Sequence, residues 1–260
     1  MTVDWLRDLR VRADRPPALV RDALLVETSD AAIGSIEPSL ARRMAGAGLP
    51  IKADADRWRI TGRTLNATFA SIAEWLRDQR LASAWRNELL SVSDATGVSV
   101  GAIERAAVRP LGITTHAVHL VGWAEQGGVW VQQRAFDKST DPGQWDTLMG
   151  GLIAAGESIA DTLARETWEE AGLRIKALRE VTPRGRLTVR RPVSNGYMVE
   201  HIHVHDAVVP AGITPLNQDG EVAAFECLGI DALHERLRAG AFTLEAALIL
   251  VDMLALRKRG

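Results

Sequence analysis

The sequence predicts an α/β protein built in two parts, and three of its features carry that expectation. Short β-like runs alternate along the chain with segments of helical periodicity, the pattern of a layered α/β fold. Pro110 and Gly112 break the pattern. Past that break comes a hairpin signal, with "AEQGG" between two apolar runs. We therefore expect a smaller α/β domain over 1–110 and a second domain over 111–260.

In chain order, "ALLVE" and "AAIGSI" read as strands around the turn "TSD". Pro38–Ala47 reads as a helix ending near Gly48, and "RWRIT" as a further strand. From Thr64 onward, Leu65, Phe69, Ile72 and Leu76 fall on one helical face. In the second part, "HAVHLVGW" and "VWVQQR" are strands, and "AFDKSTDPGQWDTLMGG" is a polar stretch leading to a helix. "LTVRR" and "MVEHIHVHDAVV" follow as strands, then the loop and strand "NQDGEVAAFECL", then helices near Ile230–Arg238 and Leu244–Arg257. No internal repeat or low-complexity segment interrupts this order.

Composition removes several function classes. Hydrophobic residues make up 47% and charged residues 25%, a balance that suits a soluble globular chain. A net charge of −2 gives no reason to expect a nucleic-acid partner. The single cysteine, Cys227, excludes an internal disulfide, fits a reducing compartment and is expected in the core. The opening "MTVDWLRDLRVRADR" is charged throughout and lacks the apolar centre of a signal peptide. "TLEAALILVDMLAL" is too short to span a bilayer and is broken by Glu245 and Asp252, so no membrane partner is expected. The expected location is cytoplasmic.

The chemistry concentrates in "GGLIAAGESIADTLARETWEEAGL", Gly150–Leu173. Ser158 and Asp161 form a helix start of the capping type, and Gly172 supplies a left-handed stop, which predicts a helix near Ile159–Ala171. On that helix Glu166, Glu169 and Glu170 share a sector, with Ala160, Ala164, Thr167, Trp168 and Ala171 expected to pack on the far side. Like charges at helical spacing repel. Either this is a solvated charged face, or the repulsion serves a cation.

The spacing favours the cation. Gly151, Glu157, Arg165-Glu166, Glu169-Glu170 and Gly172 fall in the frame of the Nudix box, with Leu173 as its closing apolar residue. The chain thus resembles Nudix hydrolases. That resemblance implies an α/β/α sandwich around a mixed sheet and Mg²⁺-dependent (or Mn²⁺-dependent) cleavage of a small-molecule diphosphate linked to a group X. It implies Glu169 and Glu170 as metal ligands, Glu166 as a ligand or as the group that helps activate water, and Arg165 as the residue that holds the glutamates. Glu157 assists from the loop, while Gly150 and Gly151 let the backbone pass close to metal and phosphate. Mg²⁺ is a hard cation that takes carboxylate oxygens and bridges to substrate phosphates. Thr167 stands where the family usually carries an aliphatic residue.

Flanking residues bear on X. "VQQRAFDKSTDPGQWDTLMGG" resembles isopentenyl-diphosphate isomerase, but Asp146-Thr147-Leu148-Met149 offers no catalytic cysteine. The pieces "AIGSIEP", "IERAAVRPLGITTHAVHLVGW", "PGQWDTLMGGLIAAGES" and "NQDGEVAAFECL" resemble the Nudix domain associated with thiamine pyrophosphokinase, which carries an N-terminal domain of unknown function. This implies thiamine diphosphate or a damaged analogue as leading substrate. The alternatives are a dinucleotide or nucleotide-sugar pyrophosphatase and a non-catalytic ligand sensor. Arg134 and Lys138 are expected at the diphosphate, plain surface charge being the bland reading. Trp145 is the tryptophan expected to stack on a heterocyclic X. Glu221 is either a late general base or extra ligand, or the cap of its own loop. His201, His203 and His205 share a strand face, either as a second metal site or, as we expect, as an ordinary polar face.

Overall fold

The computed structural model describes residues 3–257. Helix α1 (Val3–Ala13) precedes β1 (Asp22–Val26), β2 (Ser29–Ile36), α2 (Pro38–Gly46), β3 (Ile51–Asp54), β4 (Arg57–Ile60) and α3 (Leu65–Asp78). Strands β5 (Leu89–Ser93) and β6 (Ser99–Glu104) form a separate hairpin. The second part runs β7 (Thr114–Ala124), β8 (Val129–Arg134), β9 (Trp145–Asp146), β10 (Met149–Leu152), α4 (Ile159–Ala171), β11 (Arg179–Val193), β12 (Gly196–Val209), β13 (Val222–Leu228), α5 (Ile230–Arg238) and α6 (Leu244–Arg257).

The first sheet has the order β2-β1-β4-β3, with β1 and β4 parallel. One face of α3 packs on it. Phe69, Ile72 and Leu76, the residues that predicted the helix, are 0% exposed and share a core with Leu24, Ile36 and Ile60. The strands β3, β5 and β6 were not anticipated.

The second sheet is mixed, in the order β11-β12-β7-β8-β13, with β12 and β7 parallel and β10 paired to β7. Alternation along β7 sends Val118 and Leu120 towards α4, and Val121 and Trp123 into the core that α5 and α6 share. Two helical layers thus enclose the sheet, the expected sandwich.

Helix α1 of the first part reaches across to the second. Leu9 and Ala13 of α1 are buried with Leu250, Val251 and Leu254 of α6, so the opening helix docks on the second sheet's layer. Arg7, Asp8, Arg10 and Arg12 lie on the outside, where Arg10 reaches Asp252 at 3.3 Å. The apolar stripe hidden within "DWLRDLRVRA" is what its overall charge obscured.

Candidate active site

Helix α4 has the caps its sequence called for. Ser158 Oγ accepts the Asp161 N–H at 3.1 Å, and Gly172 closes the helix at φ 65°. Its packing face differs from expectation. Leu163, Thr167, Glu170 and Ala171 are buried, whereas Ala160, Ala164 and Trp168 lie outside. Trp168 is 36% exposed, with the Arg174 guanidinium 3.7 Å above its ring. The helix is rotated so that a carboxylate, rather than a tryptophan, enters the protein.

Two glycines make that rotation possible. Strand β10 pairs Gly150 with His119 and Gly151 with Val118. A Cβ on Gly151 would sit 2.1 Å from Glu166 Cδ, and one on Gly150 would sit 2.5 Å from His119 Cε1. What matters at both positions is a missing side chain rather than an unusual φ. Glu170 is 3% exposed, and its Oε2 accepts the Gly150 N–H at 3.0 Å and Gln132 Nε2 at 2.9 Å. Burial pushes its pKa up to about 8, and the neighbouring Glu166 charge adds to the shift. Burial likewise lifts Glu166 to about 7, against the pull of Arg165.

Arg165 is the one cation in this cluster. Its Nε and Nη2 donate to the two oxygens of Glu157 at 2.8 and 2.7 Å, and its Nη1 reaches Glu166 and Glu169 at 2.9 Å each. The bidentate bond holds Glu157 down at about 2 and raises Arg165 further above its ordinary value. Three carboxylates therefore share one guanidinium, and Glu170 lies beside them bonded only to Gln132 and the Gly150 N–H. Glu166 Oε2, Glu169 Oε1 and Glu170 Oε1 take no part in the hydrogen bonds of this set. Such a donor set, oxygen-only, short of positive charge and desolvated at Glu170, suits a hard divalent cation. Among the described residues no three His, Cys, Asp or Glu side chains are already gathered as a ligand shell.

Glu166, Glu170 and both glycines line a cleft of about 160 Å³ together with Arg134, Lys138 and Glu221. Lys138 and Glu221 are in direct ion-pair contact. Burial opposes ionisation of Glu221, but the Lys138 ammonium holds its pKa below the ordinary value. Arg134 lines the cleft with its fork engaged. It donates to Thr140 O at 2.9 Å and to Asp141 O at 3.2 Å, and lies 3.6 Å from Asp146, so it anchors the 140–141 turn.

Trp145 does not line this cleft. Alternation on β9 turns it the other way, into the α5–α6 layer, where the Arg236 guanidinium lies 4.7 Å over its ring. Asp146 faces the cleft instead. His201 and His203 meet His116, a residue the sequence reading passed over, at ring-centroid distances of 5.4 and 5.7 Å, away from the cleft. Burial lowers the pKa of these imidazoles and of His205. Cys227 is exposed rather than in the core, its sulfur 3.9 Å from Gly127 O.

Sequence reasoning missed several cleft residues. His119 is buried, its Nδ1 2.9 Å from Thr147 Oγ1, and Gln132 fixes Glu170. Arg105, Arg109 and Arg191 form another wall. The only signal in the sequence was the alternation of "HAVHLVGW" and "VWVQQR", which places His119 and Gln132 on defined faces without naming what they meet.

The family signature described as the NUDIX domain matches residues 114–248. Nudix hydrolase 20, chloroplastic, from Arabidopsis thaliana is 28% identical over 190 residues, 71% of this chain and 51% of that protein. An isopentenyl-diphosphate Delta-isomerase from Rhodobacter capsulatus is 36% identical over 113 residues, 43% of this chain and 62% of that protein. The crystal structure of DR0079 from Deinococcus radiodurans is similar with a TM-score of 0.50 and 25% identity, covering 62% of this chain and 97% of that one. The chain spans about half the length of the plant relatives it matches. The Arabidopsis match is longer than the stretch from residue 114 to the C-terminus, so the likeness reaches into the first part of the chain.

Proposed function

The chain belongs to the Nudix family, and on that premise we propose that it hydrolyses a diphosphate bond with Mg²⁺ or Mn²⁺. The observation that carries this reading is the buried Glu170 beside the half-buried Glu166, set against two glycines at the floor of a cleft. Glu166, Glu169 and Glu170 would hold the cation, which when bound neutralises phosphate charge and lowers the pKa of water. Gln132 and the Gly150 N–H aim Glu170, and Arg165 with Glu157 keeps the helix face in register. Glu221, ionised and held by Lys138, is suited to orient or deprotonate a water entering from the open side.

For X we propose thiamine diphosphate or a damaged analogue. Two observations support it: the motif resemblance to the thiamine-associated Nudix proteins covers both parts of the chain, and a second cavity of about 560 Å³ adjoins the cleft along Arg109 and Arg191. We propose that residues 1–110 act in closing that cavity while 111–260 carry the chemistry. The isomerase reading finds no support in residues 146–149, and Cys227 is exposed and does not line the cleft. A phosphate-release screen across diphosphate compounds with Mg²⁺ tests the proposal. Thiamine-type diphosphates are expected to lead. Preference for a dinucleotide or nucleotide sugar would replace the substrate, and release from no diphosphate would remove the hydrolase reading itself.

A further inference from the structure

Arg109 occupies the seam between the two parts of the molecule, and its backbone is fixed from both sides. Its neighbours Val108 and Leu111 are buried in the core of the first sheet. Its carbonyl accepts the Gly112 N–H at 3.1 Å and, from the β11–β12 turn, the Tyr197 N–H at 3.0 Å. That turn can seat only because Gly196 lacks a side chain: a Cβ there would lie 2.2 Å from Arg109 O. Arg21 braces the next residue, donating to Pro110 O at 2.6 Å.

The side chain held in this way has nothing to bind. Arg105 donates to Glu88 at 2.7 Å, and Arg191 reaches Glu245 at 3.3 Å. Among the described residues Arg109 makes no side-chain hydrogen bond, and no carboxylate lies within 4 Å of it. Glu200 and Glu245 act on it only from farther off, and burial lowers its pKa. A guanidinium cannot escape by losing its proton, and covering an uncompensated charge is costly. Arg191 adds to the deficit, because its Nε is buried without a partner. Both arginines line the same cleft as Glu166, Glu170 and the two glycines, so one wall is short of cations and another is short of anions.

We propose that Arg109, assisted by Arg191, binds the phosphoryl group of the diphosphate that lies away from the carboxylate helix, making the N-terminal part of the chain a contributor to substrate binding. The inference rests on the diphosphate reading above and deepens it. A metal complex of a diphosphate presents both charges that the cleft lacks, a cation to the glutamates and free phosphate oxygens to the arginines. Arginine suits the second task, since its planar fork matches two phosphate oxygens at once. The adjoining cavity leaves space beyond Arg109 for the remainder of the substrate.

The test uses the full chain with Mn²⁺ and two non-hydrolysable probes, methylenediphosphonate and methylphosphonate. Their affinities are measured by calorimetry for the wild type, Arg109→Ala, Arg109→Gln and Arg109→Lys, with melting curves to establish folding. Loss of charged hydrogen bonds predicts that Arg109→Ala and Arg109→Gln weaken the diphosphonate by about 10- to 100-fold. The monophosphonate and Mn²⁺ alone should change by less than about threefold, and Arg109→Lys should recover part of the loss through its point charge. Diphosphonate binding by the folded Ala or Gln variant within about twofold of wild type, or an equal loss for both probes, overturns the assignment. A wild type that binds neither probe in the presence of Mn²⁺ overturns this inference together with the hydrolase reading, whereas a defect confined to Arg109 leaves that reading standing.

Discussion

Asp94, in the turn between β5 and β6, accepts hydrogen bonds from Ser29 Oγ, from Thr96 Oγ1 and N, and from Val98 N. Glu170, at the floor of the cleft, accepts only two, both on one oxygen, and faces a second carboxylate. The hydroxyls of Thr96 and Ser29 take Asp94 down to about 2, while burial takes Glu170 up to about 8. One carboxylate is satisfied by its own fold and ties a turn together. The other has no cation among its hydrogen-bond partners. Burial of a charged residue alone does not mark function; the balance of its partners does.

The largest effect should come from Glu170→Gln, which keeps the shape and removes the charge. Turnover should fall by about a thousandfold or more, while Asp94→Asn should leave turnover per folded molecule unchanged. Steady-state phosphate release measures both, and normal turnover by Glu170→Gln would erase the distinction drawn between the two carboxylates.

Next in size is a purely structural change in the first part of the chain. Phe69 is completely covered in an apolar core, so Phe69→Ala should cost about 3–5 kcal/mol in denaturant unfolding. Cation affinity of the molecules that remain folded should not move. Cap removal on α4 is milder. Ser158→Ala should cost about 1 kcal/mol, since one N–H loses its acceptor.

The pH dependence of stability should have opposite signs at the two carboxylates. Between its ordinary value of 4.5 and about 8, folded Glu170 keeps a proton that the unfolded chain has released. Metal-free protein should therefore lose stability as pH rises through that window, and Glu170→Gln should flatten the decline. Asp94 works the other way. Its contribution is complete above its ordinary value of 3.8 and is lost as pH falls towards about 2. Melting temperatures across pH 3–9 without metal separate the two slopes.

How much of this was legible in the sequence follows from how local each feature is. The spacing of Gly151, Glu157, Arg165, Glu166, Glu169 and Glu170, and the caps Ser158 and Gly172, are short-range patterns, and the α/β/α sandwich followed from the family they resemble. The same holds for Phe69, Ile72 and Leu76 on α3. Which face of α4 enters the core was not local. It depends on Gly150 and Gly151 of β10 meeting Glu170 and Glu166, and helical periodicity alone assigned that face to Trp168. Trp145 failed for a related reason: a two-residue strand gives no pattern from which to tell its faces apart, and Asp146 took the cleft. Arg109 and Arg191 were invisible because 82-residue separations are closed only by the hairpin turn seating on the seam.

The central claim is that the carboxylate face of α4 takes a divalent cation, and Mn²⁺ titration followed by electron paramagnetic resonance tests it most directly. Wild-type protein and Asp94→Asn should each bind Mn²⁺ with the same affinity at a site that Mg²⁺ displaces, and Glu170→Gln should weaken that site by at least about tenfold. Equal Mn²⁺ affinity in wild type and a folded Glu170→Gln variant would contradict the account.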